Sequence, residues 1–144
     1  MLGKWLKRLE APDHEPHPKR EVATAMLLLE CARADFEQKP AEIEEVRRML
    51  GTDLGLSNDE IDEVLRDARR TSRKAVSLYG PVSRLNDELS PEDKLRLMSW
   101  LWRVALADGH IDAREEHLLR KLADLLHIAH ADFVRTRLAV QQGP

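Results

Sequence analysis

The sequence predicts an all-α protein of about seven helices in two pseudo-symmetric halves, and three observations predict it. Apolar residues recur at helical spacing along most of the chain, and no segment alternates with period two long enough to make a strand. Capping residues, prolines and glycines stop and restart that pattern at intervals of one short helix. Sliding the chain by 73 residues lays one half on the other, with Ala32 on Ala105, Ala34 on Ala107, Asp35 on Asp108 and Glu42 on Glu115.

Residues 1–9 place Leu2, Trp5, Leu6 and Leu9 on one helical face and Lys4, Lys7 and Arg8 on the other, a short amphipathic helix. A proline-rich stretch follows and reads as an extended linker, so residues 1–18 form an appendage and residues 19–144 the helical domain. Val22, Ala25, Met26, Leu29 and Ala32 then repeat near period 3.6 with little polarity between them, which predicts a largely buried helix from Arg20 to about Asp35. Pro40 opens the next helix, with Glu42, Glu44 and Glu45 in its first turn, and Gly51 and Gly55 close it. Ser57 and Glu60 have capping-box spacing ahead of a helix through Ile61, Val64, Leu65 and Ala68, which Gly80 and Pro81 interrupt. A short segment from Val82 to Leu89 leads to Ser90, Pro91 and Asp93. There a strongly apolar helix begins, carrying Leu97, Trp100, Leu101, Val104 and Ala105 as far as Gly109. Asp112 and Glu115 cap a helix whose core face is Leu118, Leu119, Leu122, Leu125 and Leu126, and Asp132 to Val140 forms the last one.

Several function classes recede on composition. A net charge of -3 exerts no global pull on nucleic acid or anionic lipid. Arg66, Arg69, Arg70, Arg73 and Lys74 do line one helix, but Asp59, Glu60, Asp62 and Glu63 begin that helix and no aromatics interleave for base stacking, so nucleic acid is disfavoured as a partner. The single cysteine, Cys31, excludes an intramolecular disulfide framework and reads as a buried small hydrophobe rather than a nucleophile. No apolar run reaches the roughly 18 residues of a membrane span and no secretory signal opens the chain, so the cytoplasm is the default compartment, with weak membrane-surface contact open to residues 1–9. Phosphate loops, nucleophile elbows and zinc-protease motifs are absent from the sequence, and no enzyme is expected. Trp100 and Trp102 stand two apart on one helix, so core packing on a wide apolar face competes with exposure of one ring at an interface.

The repeated carboxylates carry the remaining chemistry. Glu42 and Glu115 lie in first helical turns, where the helix dipole favours an anion by roughly 0.3–1 kcal/mol. Asp112 reads as an N-cap. Asp35 and Asp108 differ, because each falls at the C-terminal end of an apolar helix, where the dipole disfavours an anion. A bound cation, a Lys or Arg partner, or loop N–H groups accepted by the carboxylate would each compensate. If Asp35, Glu42, Asp108 and Glu115 converge, oxygen donors of this kind suit calcium or magnesium ahead of zinc, towards which His110 and His117 would bias the site. The segment from Asp108 to Glu115 also matches the second half of an EF-hand loop, but Val104 and Leu106 stand where its first acidic ligands belong.

The segment VALADGHIDAREEHLLRKLADLL from Val104, with its weaker counterpart ARADFEQKPAEIEEVRRML from Ala32, resembles the tellurite-resistance TerB-like family over roughly residues 20–140. The resemblance implies an all-helical fold of two related halves, no catalysis, and a divalent-metal site on clustered acids. By position these are Asp108, Asp112 and Glu115 from the second half, with Asp35 and Glu42 from the first. It further implies a role in tellurite or general stress responses, with a protein partner at the inner face of the membrane or a co-chaperone-type adaptor role. Phe36 stands where the second half has Gly109, so the first loop departs from the family pattern.

Overall fold

A computed structural model describes residues 18–32, 40–75 and 77–143, and these form seven helices. They are α1 (Arg20–Ala32), α2 (Pro40–Thr52), α3 (Asn58–Lys74), α4 (Tyr79–Glu88), α5 (Pro91–Ala105), α6 (Ala113–Leu125) and α7 (His130–Gln142). The amphipathic segment at residues 1–9 and the linker after it lie outside the described residues. No strand occurs among the described residues, and no helix there is long and apolar enough to cross a membrane.

The starts follow the capping chemistry read from the sequence. Ser57 accepts from the N–H of Glu60 at 3.2 Å while Glu60 accepts from the N–H of Ser57 at 2.9 Å, a reciprocal pair that holds the Glu60 carboxyl below its usual range. Ser90 accepts from the N–H of Asp93 at 3.1 Å, with Pro91 in the first helical position. Helix α6 ends in a Schellman turn: Ile128 N–H donates to Ala123 and His127 N–H to Asp124, with His127 in the left-handed region at φ 60°. Helix α3 ends at Lys74, ahead of Gly80 and Pro81, which lie instead in the first turn of α4, where proline lacks only an N–H that would have no helical partner.

Helix α1 is buried all round from Val22 to Leu29, as expected of a helix without a polar face. Its neighbours are α2, α3, α4, α5 and α6. The repeat is carried into three dimensions. Pro40 to Ala113 is a step of 73 residues, and so is Thr52 to Leu125, so α2 and α6 share their bounds. Helix α1 packs on α3 as α5 packs on α7, α1 on α2 as α5 on α6, and α2 crosses to α5 as α6 crosses to α1. That exchange of partners is what two copies sharing one core produce, since neither half buries its apolar face alone.

Both tryptophans of α5 are buried, because α5 lies between α2 and α7. The Trp100 indole donates to Asp53 just past α2, and the Trp102 indole donates to the Phe133 carbonyl in α7 at 3.3 Å. The Trp102 and Phe133 rings meet at 4.9 Å, and Arg137, paired with Glu116 at 2.9 Å, lies 5.1 Å from the Trp102 ring.

The repeat-equivalent leucines Leu28 and Leu101 are both fully buried, whereas Leu138 is 51% exposed. Leu28→Ala and Leu101→Ala should each cost about 2–5 kcal/mol in urea unfolding, and Leu138→Ala should stay within about 0.5 kcal/mol of wild type. Equal costs at all three positions would contradict the placement of α1 and α5 at the centre.

Candidate functional site

The site is built from two helix starts and one helix end. Glu42 is the third residue of α2 and Glu115 the third of α6, so the repeat places both carboxylates at the same point of equivalent helices. Each also occupies the first place in an apolar stripe, Glu42 with Val46 and Met49, Glu115 with Leu119 and Leu122. That stripe faces the core, and it takes both glutamates with it, to 1% and 2% exposure. Asp112 caps α6: its carboxylate accepts from the N–H of Glu115 at 2.8 Å, and Glu115 Oε1 accepts from the N–H of Asp112 at 3.3 Å.

Cys31 lies in the last turn of α1. Its thiol is fully buried and donates to the Leu101 carbonyl of α5, Sγ to oxygen 3.5 Å. Burial pushes the thiol well above its ordinary range, and the charges of Glu115, Glu42 and Glu30 push it further in that order. One carboxylate from each half therefore acts on the same thiol. A thiol held protonated and shielded from solvent is a poor nucleophile, so Cys31 reads as part of the packing around the acids.

The other candidates are placed differently. Asp108 follows α5 in a turn made possible by Gly109 at φ 100°, and its Oδ1 accepts from the His110 N–H at a long 3.4 Å. Loop N–H groups thus supply one of the compensations anticipated for an anion at a helix C-terminus. His110 and His117 are exposed. Asp35 lies outside the described residues, so its place relative to the other acids is not part of this geometry. Among the described residues, no group of three or more His, Cys, Asp or Glu side chains is arranged to hold a metal ion.

Reading the sequence by helix dipoles alone missed the burial of both glutamates. The signal was there in their register with the apolar stripes. Cys31 was read as a buried small hydrophobe, which its burial matches, and its link to Glu115 depends on the packing of α1 on α6.

The family model described as tellurite resistance protein TerB matches residues 21–138, which takes in all but the ends of the helical domain. No curated protein and no solved structure matches the chain.

The raised thiol has a pH consequence whose sign is fixed. The unfolded chain releases the Cys31 proton above about pH 8.5 while the folded chain keeps it, so folding is undiminished below that pH and weakens as pH rises. Between about pH 8.5 and about pH 9.5, wild type should lose about 1 kcal/mol relative to Cys31→Ala in denaturant titrations. Parallel stability profiles for the two proteins would show that the thiol is not held protonated.

Proposed function

The chain belongs to the tellurite-resistance TerB family, and from that membership and its buried acids we propose that it is a non-catalytic binding or scaffold module of a stress response, with a divalent cation held by its carboxylates. The observation that carries the metal reading is the pair Glu42 and Glu115, equivalent in the repeat, both buried, and both acting on the same thiol. A divalent cation is one of the groups that can offset the cost of burying a carboxylate.

Hard oxygen donors fit calcium or magnesium better than zinc. Magnesium is met by one or two carboxylates plus water, whereas calcium takes six to eight oxygens and would draw on Asp35, Asp108 and Asp112 as well. The ion would supply counter-charge and cross-link the two halves. The protein acts in the cytoplasm with a protein partner, and residues 1–9 make peripheral contact with the inner face of the membrane. A second reading is favoured by the hydrogen bonds of Asp112, Glu115 and Asp108, each of which serves a helix start or a turn. In that reading the acids are structural caps and the protein is a metal-free adaptor.

Thermal melts separate the two readings. Stripped with EDTA and then given calcium, magnesium or zinc, the protein should melt higher with the ion it binds, because binding at a hundredfold excess over Kd stabilises the fold by about 2.7 kcal/mol. Glu42→Gln, Glu115→Gln and Asp108→Asn should each shrink that shift. The metal reading fails if the midpoint is the same in EDTA and in all three ions.

A further inference from the structure

Two connected depressions run along the outer face of α5. One, of about 490 Å³, lies among α2, α5 and α7, with Glu45, Arg48, Leu106 and Val140 in its wall. The other, of about 380 Å³, continues past Leu95, Arg96 and Trp100. Ser99 and Arg103 border both, so they form one groove, which extends along α5 from Leu95 to Leu106, roughly 16 Å at 1.5 Å per residue. About five residues of extended peptide span that length at roughly 3.3 Å each.

The charge in the groove is biased. Glu45 is engaged by Arg48 at 2.6 Å and Asp53 by the Trp100 indole. Arg96 and Arg103 make no ion pair among the described residues, and Arg103 is steadied over the Trp100 ring at 4.5 Å with its N–H groups available. Ser99 lies between the arginines, and Leu95 and Leu106 stand towards the two ends of the groove. No exposed aromatic ring lines the groove for base stacking, since Trp100 is buried beneath Arg103. Residues 1–9 carry Lys4, Lys7 and Arg8 and so have the same sign of charge as the groove.

The repeat shows that this face is unusual. Arg96, Ser99 and Arg103 correspond, 73 residues earlier, to Ala23, Met26 and Glu30 on α1. There Ala23 and Met26 are fully buried, and Met26 and Glu30 lie beside Ser77 and Leu78 at the start of α4. On α5 the same positions are polar and open. We propose that this groove docks an acidic, extended peptide segment of a protein partner, its carboxylates on Arg96 and Arg103 and its apolar side chains against Leu95, Leu106 and Val140. The proposal deepens the reading of the protein as a binding module and rests on it, but not on the metal.

The test is fluorescence anisotropy of the full chain in EDTA with a labelled peptide alternating glutamate and leucine. Binding should weaken by at least about tenfold in the double variant Arg96→Glu/Arg103→Glu, and hardly change in Arg69→Glu/Arg73→Glu, which places the same charge change on α3. The matching lysine–leucine peptide should not bind. Equal loss in both double variants, equal binding of the lysine peptide, or no binding of the glutamate peptide would overturn the proposal. So would displacement of the peptide by tripolyphosphate or a thymidine oligonucleotide at lower concentration than unlabelled peptide, which would make the groove an anion or nucleic-acid site. Because the readout excludes metal, a melting shift with ions would survive failure here, and the reverse also holds.

Discussion

Helix α1 is apolar on every side, and the arrangement of the chain keeps water from all of them. Burying each of its large side chains is worth roughly 1.5–3 kcal/mol, but only if neighbours close over the full circumference. Its buried polar groups are settled with backbone carbonyls: the Thr24 hydroxyl donates to Arg20 one turn back, and the Cys31 thiol to Leu101 of α5. Five helices surround it as a result, and the contact of α2 with one side and α6 with another follows from that need for coverage.

The acid centre is a by-product of the same coverage. Each of α2 and α6 brings a helix start toward the core, and each start carries a glutamate on its apolar stripe. The positive end of a helix dipole offsets part of the cost of burying a carboxylate, by up to ~2 kcal/mol in a partly buried setting. The repeat supplies this device twice, in symmetric positions, around one thiol.

Much of this was legible in the sequence. The 73-residue offset, the capping pairs at Ser57/Glu60 and Asp112/Glu115, and the all-apolar run of α1 each have local causes, and local causes are readable from spacing. What was not legible depended on which element lies against which. Dipole reasoning accounted for Glu42 and Glu115 at helix starts without their burial, because it does not ask which way a first-turn side chain points. The start of α4 was hidden by reading Gly80 and Pro81 only as breakers, although proline in a first turn starts a helix as readily as it stops one. The last helix begins at His130, two residues ahead of the expected Asp132, because the turn at His127 already reverses the chain.

The two tryptophans show how far duplication fixes a structure and where it lets go. Residues two apart on a helix point about 200° apart, so both are buried only if the helix is covered on opposite sides. Helix α7 covers Trp102 completely, as α3 covers the equivalent side of α1. On the other side α5 has the end of α2, and Trp100 reaches 4% exposure with help from single side chains: Asp53 takes its N–H and Arg103 lies on its ring. Without that guanidinium the indole would present an apolar face to water. Arg103 therefore has a structural reason to lie where it does, and the guanidinium that completes the core at this edge also borders the groove along α5.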